Sequence, residues 1–302
     1  MSTSNNDVER KVAECYSTWG STYFDDYYGE KAPYPPVHVD IVKDLLGAVK
    51  PKSLLDAGCG PASFMRHLFD TEIELYGFDL TDAMVAEAKV IMASSGADSN
   101  RVWKGSVLNK VDYSQPNGLE LYDAALCFGV LPHIPNDQDP TVLGNLYDSL
   151  EIGGLAIVEA RNSLFSLFTQ NRYSYDFISR ELIQVGKLLA SKGNNARALE
   201  SALARFRSHF RMDLPPIRKG KEGEPGYDEV LSRTHNPFVL SSHMSRVGFR
   251  DVRTLFYHFH ALPPMLAEGI EEFFKKASIE MENPYDWRGY FMASAFMTVG
   301  RK

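Results

Sequence analysis

Residues 52–60, Lys-Ser-Leu-Leu-Asp-Ala-Gly-Cys-Gly, constrain the fold of this chain more than any other stretch. A short apolar run that stops at a glycine-rich turn is the pattern of a strand buried on both faces and entering a loop. The same rhythm continues on either side of it. VDIVKDLLGAV (39–49) predicts a helix ending near Gly47, and residues 63–69 begin another. EIELYGFDL (72–80) is a second strand, and TDAMVAEAKVIMA (81–93) is a helix with a Thr cap. A third strand is expected around Val102–Trp103, a fourth at YDAALCFGV, a helix at TVLGNLYDSL and a fifth strand at LAIVEA. Strands alternating with helices predict an α/β chain with a parallel, doubly wound sheet. Ligands of such sheets sit beyond the carboxyl ends of the strands, where the strand order reverses.

The rhythm breaks after the fifth strand. Residues 161–221 predict two helices, the second carrying Leu199, Ala202, Leu203, Phe206 and Phe210 on one face. Loop chemistry follows at LPPIRKGKEGEPG, and the alternation then resumes to the end of the chain. The expected organisation is a core over 1–160, a helical insertion over 161–235 lying on the ligand side of the sheet, and a completion of the core over 236–302. Charge marks the insertion too. Residues 161–221 hold 12 Lys and Arg against 4 Asp and Glu, leaving 20 basic and 35 acidic residues elsewhere in a chain of net charge −7. Arg197, Arg205, Arg207, Arg211, Arg218 and Lys219 belong to this basic segment. An acidic body argues against DNA as partner, while the basic segment suits either a solvated helix face or attraction of an anionic small molecule.

No apolar run is long enough to cross a membrane, and MSTSNNDVERK lacks the apolar region of a signal peptide. Cys15, Cys59 and Cys127 are scattered without ligand spacing, so neither a disulfide framework nor structural zinc is expected, and a reducing cytoplasm fits. Oligomeric state has no signature in the sequence.

Gly58 and Gly60 remove the Cβ atoms where a ligand approaches the turn. Asp79 ends the second strand 21 residues after Gly58, where a carboxylate can accept both hydroxyls of a ribose. A nicotinamide-binding unit has the same two features, so these residues alone leave the cofactor open.

The wider pattern resembles the class I S-adenosylmethionine-dependent methyltransferases, small-molecule type, over most of the chain outside 161–235. The family's first motif is an acid followed by Gly-x-Gly, as Asp56, Gly58 and Gly60 stand here. Dehydrogenase fingerprints normally lack that acid and want Gly or Ala where this chain has Ser63. The resemblance continues through Gly77-Phe78-Asp79-Leu80, Met84, Gly105-Ser106-Val107, Tyr122-Asp123-Ala124, Phe128-Gly129-Val130-Leu131-Pro132-His133 and Ile152-Gly153-Gly154-Leu155. Ser106 departs from the family, which often places an acid there beside the adenine. The resemblance implies a Rossmann-like, seven-stranded doubly wound sheet whose seventh strand, YFMASAFMTVGRK, is antiparallel. It implies S-adenosylmethionine as cofactor, held by Asp56, Gly58, Gly60, Asp79, Leu80, Met84, Ser106, Val107 and Phe128. The Tyr-rich opening looks like the segment that closes over donor and acceptor in small-molecule methyltransferases, which adds Tyr16 and Tyr23 to the cofactor site.

Transfer of the methyl group to oxygen or nitrogen requires loss of a proton, and His133, just past the fourth strand, is the expected base. Tyr27, Arg161, Asn162, His235, His258 and His260 are the expected acceptor-binding residues. His258 and His260, two apart on a strand, would face one side with Phe256. No metal site is expected. Asn236-Pro237-Phe238 and Asn283-Pro284-Tyr285 read as a helix entry and a turn. The alternatives are a nicotinamide-dependent oxidoreductase and a non-catalytic protein that binds S-adenosylmethionine.

Overall fold

The computed structural model describes residues 5–19, 23–28, 34–116, 118–190, 196–214, 226 and 229–302. Among these, seven strands form one sheet in the order β3-β2-β1-β4-β5-β7-β6. The strands are β1 (Ser53–Ala57), β2 (Glu74–Asp79), β3 (Val102–Lys104), β4 (Tyr122–Cys127), β5 (Leu150–Arg161), β6 (Arg250–Phe259) and β7 (Ala293–Arg301). β1 runs parallel to both β2 and β4, and β5 runs antiparallel to β7 from Leu155↔Arg301 to Arg161↔Ala295. Strand order reverses between β1 and β4. Right-handed crossovers running outward both ways from that point put the connecting helices on opposite faces, which is the doubly wound arrangement.

The helices are α1 (Asn5–Ser17), α2 (Tyr23–Tyr27), α3 (His38–Val49), α4 (Asp82–Ser94), α5 (Asp139–Asp148), α6 (Ser166–Thr169), α7 (Arg172–Phe177), α8 (Val185–Ala190), α9 (Ala196–Arg207), α10 (Pro237–Val247), α11 (Glu271–Glu280) and α12 (Gly289–Met292). The chain divides into two compact units. The first is Met1–Arg161 with Ile217–Leu255 and Ala295–Lys302, and the second is Asn162–Pro216 with Phe256–Ser294. The segment 161–235 is thus shared between them.

In the first unit every residue of β1 is buried, as its unbroken apolar run requires of a central parallel strand. Val42, Leu45 and Leu46 of α3, Ala88 and Met92 of α4, and Val142, Leu143 and Leu146 of α5 supply buried helix faces at helical spacing. Thr81 caps α4 by accepting from Met84 N at 3.1 Å, and Asn236 caps α10 by accepting from Phe238 N at 3.0 Å with Pro237 in the first turn. Helix α3 runs past Gly47 to Val49, because Lys50 takes the left-handed conformation (φ 53°) and its N–H closes on Leu46 O. Residues 63–69 form turns and one short 3₁₀ helix, Met65–Leu68. No helix among the described residues is long and apolar enough to cross a membrane.

The second unit is more broken than the two expected helices. α6, α7, a π turn (Ile178–Leu182) and α8 precede α9. The half-buried Phe206 and Phe210 rings meet Tyr175 of the same unit at 5.9 and 6.1 Å. Asn162 is buried here, and its amide ties the ends of the unit together. Its Nδ2 donates to the carbonyls of Gly289, Tyr290 and Ala293 at 2.9–3.1 Å, and its Oδ1 accepts from Leu164 N at 3.0 Å. As expected, Asn283-Pro284-Tyr285 is a turn, with Asn283 Oδ1 accepting from Tyr285 N.

Removing the Asn162 amide strands several buried backbone groups at once. Asn162→Ala is expected to lower stability by roughly 2–4 kcal/mol in urea unfolding, and a loss below about 0.5 kcal/mol would contradict the latch.

Candidate active site

The turn after β1 is held by the end of β2. The N–H groups of Gly58 and Cys59 both donate to Phe78 O, at 2.9 and 3.0 Å, and Gly60 N donates to Asp79 Oδ2 at 3.0 Å. The other Asp79 oxygen accepts from Thr81 N at 3.0 Å and Thr81 Oγ1 at 3.3 Å. Gly58 and Gly60 have φ of +87° and +53°, a region costly for other residues. Their reasons for being glycine differ. A Cβ on Gly58 would come within 2.3 Å of Val130 Cγ2, so this position is reserved by the β4 loop and not by a ligand. A Cβ on Gly60 would meet nothing nearer than 3.9 Å, which leaves that backbone open to approach.

Beyond this turn lies a cleft of about 890 Å³, counting space open to solvent, within the first unit. It stands at the carboxyl ends of β1 to β4, where the reversal of strand order places ligands. Asp56, Gly58, Gly60, Asp79, Leu80 and Met84 line it. So do Ser106, Val107 and Phe128, together with Tyr16, Tyr23 and His133. Every residue expected at the cofactor site, and the expected base, therefore come together. Burial pushes the Asp56 carboxyl up to about 7, with the nearby Asp79 charge adding to the effect. Burial also raises Asp79, against the opposing N–H groups of Thr81 and Gly60. A cation alongside this pair would relieve both. Burial, then the charges of Asp56 and Asp79, raise the Cys59 thiol well above its ordinary range, so it lines the cleft as a neutral group rather than a nucleophile.

The Tyr-rich opening forms the aromatic side of the cleft. Tyr16 packs on Trp19, Tyr23 and His133, with centroids 5.1, 6.0 and 5.2 Å away. Cys15, Trp19, Met84 and Val230 form the buried cluster beneath it. The Tyr16 hydroxyl lies 2.7 Å from His133 Nε2, and His133 Nδ1 lies 2.7 Å from Leu231 O. A carbonyl can only accept, so Nδ1 carries the proton and Nε2 of the neutral ring accepts from Tyr16. Burial, with a smaller contribution from the Arg161 charge, drives the imidazole down to about 4. The Nε2 lone pair is therefore present throughout the neutral range.

The expected acceptor-binding residues do not form one group. Arg161 ends β5, donates to Ser232 Oγ at 2.7 Å and is close enough to act on His133. Tyr27 ends α2, and its side chain lies outside the described residues. His235 is instead drawn to Asp139, its Nε2 3.4 Å from Oδ2, where Arg233 also pairs with Asp139 at 2.5 Å. Burial alone would raise Asp139, but His235 and Arg233 outweigh it and hold the carboxyl below its ordinary value. Asn162 is occupied by backbone, which accounts for its burial without a ligand. His258 has φ +57°, which interrupts the extended alternation that would set both imidazoles on one side. His260 stacks on Phe165 at 4.6 Å, and burial lowers it to about 4.

Several cleft residues escaped the sequence reading. Glu9 and Val12 line the cleft with Tyr16, and their spacing of i, i+3 and i+7 on α1 is a signal that could have found them. Ser63 Oγ also lines it, buried and without a hydrogen-bond partner among the described residues. An orphaned hydroxyl, the open backbone at Gly60 and a carboxylate pair that favours a cation all fit a polar, cationic cofactor.

A family model described as a methyltransferase domain matches residues 55–156, which run from β1 into β5. A ubiquinone biosynthesis O-methyltransferase of Shewanella halifaxensis is 21% identical over 185 residues, covering 60% of this chain and 75% of that protein. The magnesium protoporphyrin IX methyltransferase of Synechocystis PCC 6803, solved with bound S-adenosylhomocysteine, shares the fold with a TM-score of 0.51. It is 16% identical, with 98% of this chain and 100% of that one covered. An O-methyltransferase family protein of Burkholderia thailandensis shares it with a TM-score of 0.50 and 9% identity, covering 100% of this chain and 64% of that one. The family match falls on the strands and turns that build the cleft, so the choice left open by the Gly-x-Gly turn is closed. Residues 55–156 thus carry a methyltransferase domain, in a fold shared with solved methyltransferases, and S-adenosylmethionine is its cofactor.

Proposed function

We propose that this enzyme methylates a hydroxyl group of a small molecule, with His133 Nε2 receiving the hydroxyl proton. The observation that carries the reading is the hydrogen bond between the Tyr16 hydroxyl and His133 Nε2. A hydroxyl already occupies the position that an acceptor would take, and the Leu231 carbonyl holds the ring in the tautomer that presents its lone pair. The relatives named O-methyltransferases support oxygen as the acceptor atom.

S-adenosylmethionine supplies an activated methyl group on a sulfonium. Asp79 would hold its ribose hydroxyls, and Asp56 and the Gly60 turn would face its ammonium-bearing end, where the orphaned Ser63 hydroxyl also waits. Leu80, Met84, Val107 and Phe128 would cover its apolar surfaces, and Tyr16 and Tyr23 would exclude water from the transfer. The bound donor would give its methyl group to the acceptor oxygen and leave as the thioether, so that the oxygen would become a protonated ether. Such an oxygen is a strong acid. Even an imidazole lowered to about 4 can therefore take the proton, provided transfer follows bond formation closely.

The basic residues after β5 belong to this proposal as well. Arg197, Arg205, Arg207 and Arg211 are exposed, while Arg218 and Lys219 lie outside the described residues. The exposed arginines would act as a steering field for an anionic acceptor. Neutralising Arg205, Arg207 and Arg211 together should leave donor affinity unchanged and lower kcat/KM, most of all at low ionic strength. Wild-type efficiency across a salt series would reduce them to a solvated face.

His133→Ala should lower the rate of methyl transfer by about 10²–10⁴-fold in single-turnover measurements while S-adenosylmethionine affinity stays intact. Full activity in that variant would end the proposal. The acid limb is also specified. His133 is depressed from 6.5 to about 4, so its part in the rate should persist until pH falls towards 4. Stability follows the same sign. Protonation favours the unfolded chain, so the contribution is complete above about 6.5 and is lost as pH drops towards 4.

A further inference from the structure

Ser106, the first residue of the loop after β3 to line the cleft beyond Gly105, is joined to a carboxylate from a distant part of the chain. Its hydroxyl donates to Glu9 Oε1 across 97 residues of sequence. The rest of Ser106 is already committed. Its N–H donates to Asp112 Oδ2 at 2.8 Å, and its Oγ accepts from Leu108 N at 3.1 Å. The hydroxyl proton is thus aimed at Glu9. A carboxylate has about four lone-pair sites, and this bond uses one. Glu9 lines the cleft, and its helix α1 is anchored through the cluster of Cys15, Trp19, Met84 and Val230.

The other acids near this end of β3 are occupied elsewhere. Asp82 pairs with Lys104 at 2.7 Å, and Asp112 also accepts from Asn109 Nδ2 at 3.1 Å. Glu9, Asp56 and Asp79 are the carboxylates that line the cleft among the described residues. The donor molecule brings three groups of hydrogen-bond donors: an α-ammonium, the ribose hydroxyls and the exocyclic amine of its adenine. Asp56 and Asp79, at the ends of β1 and β2, match the first two. Glu9, beyond the end of β3, remains for the third.

We propose that Glu9, oriented by Ser106, accepts a hydrogen bond from the exocyclic amine of the donor's adenine and so selects a 6-aminopurine. The acid expected in the loop after β3 has moved to the N-terminal helix, and Ser106 has become its anchor. This rests on the proposed seat of the donor in the cleft.

The test compares S-adenosylhomocysteine with S-inosylhomocysteine, whose purine carries a 6-oxo group in place of the amine, by titration calorimetry. Wild-type protein should prefer the adenosyl ligand by about 10- to 150-fold, the range of a hydrogen bond to a charged group. In Glu9→Gln the amide can donate to the 6-oxo group, and the preference should shrink at least tenfold. Ser106→Ala keeps the carboxylate and removes its anchor, so the preference should narrow by less. Asp79→Ala should weaken both ligands together and leave their ratio unchanged. A ratio within twofold of wild type in both Glu9→Gln and Ser106→Ala would overturn the role of Glu9 alone. Failure of the wild-type protein to bind either ligand would overturn the donor seat itself.

Discussion

The carboxylate of Asp79 is the fixture on which the rest of the site depends. One oxygen holds the N–H of Gly60 and the other holds Thr81, so a single side chain joins the turn after β1 to the cap of α4. Burial makes that carboxylate uncomfortable, and its backbone donors make it tolerable. Asp56 shares the strain: burial pushes its carboxyl up to about 7, and the neighbouring Asp79 charge adds to the effect. The two strand ends therefore form an anionic, under-compensated edge. Such an edge gains most from a ligand that brings a positive charge and hydroxyl donors.

His133 is the second fixture, and it gathers chain that is remote in sequence. Tyr16 is 117 residues before it and Leu231 is 98 residues after it. The segment that presents the Leu231 carbonyl is pinned by Arg233, which pairs with Asp139 and whose N–H donates to Pro132 O. Desolvation offsets much of the attraction within that buried pair. Its geometric effect is clearer. It sets the carbonyl that fixes the imidazole tautomer, and the tautomer decides which nitrogen carries the lone pair.

What could be read in the sequence was what local spacing encodes. The β1 turn, Asp79 at the end of β2, the Thr81 and Asn236 caps and the order of the core strands all depend on residues a few positions apart. The expected residues that line the cleft followed, because most of them sit at the end of a recognisable strand or the start of a recognisable helix. Residues whose meaning lies in a distant partner were not legible. Glu9 looks like one more surface acid on a polar helix until Ser106 is placed beside it. Asn162 and His235 have the side chains of ligand-binding residues, but a buried amide bonded to backbone and an imidazole beside a buried carboxylate are spelled with the same letters. His258 defeated a parity rule because one left-handed residue breaks the alternation on which the rule rests. The apolar face of α9 was visible, but its partner, Tyr175, was not.

The central claim is that the donor lies along the carboxyl ends of β1, β2 and β3 and turns its sulfur towards His133. A crystal structure of the chain with S-adenosylhomocysteine bound tests it most directly. The account predicts the ribose hydroxyls on Asp79, the ammonium-bearing end at the Asp56–Gly60 turn, and the thioether sulfur facing the side of the cleft where the Tyr16 hydroxyl meets His133 Nε2. A ligand seated outside this cleft, or one whose sulfur points away from His133, would contradict it.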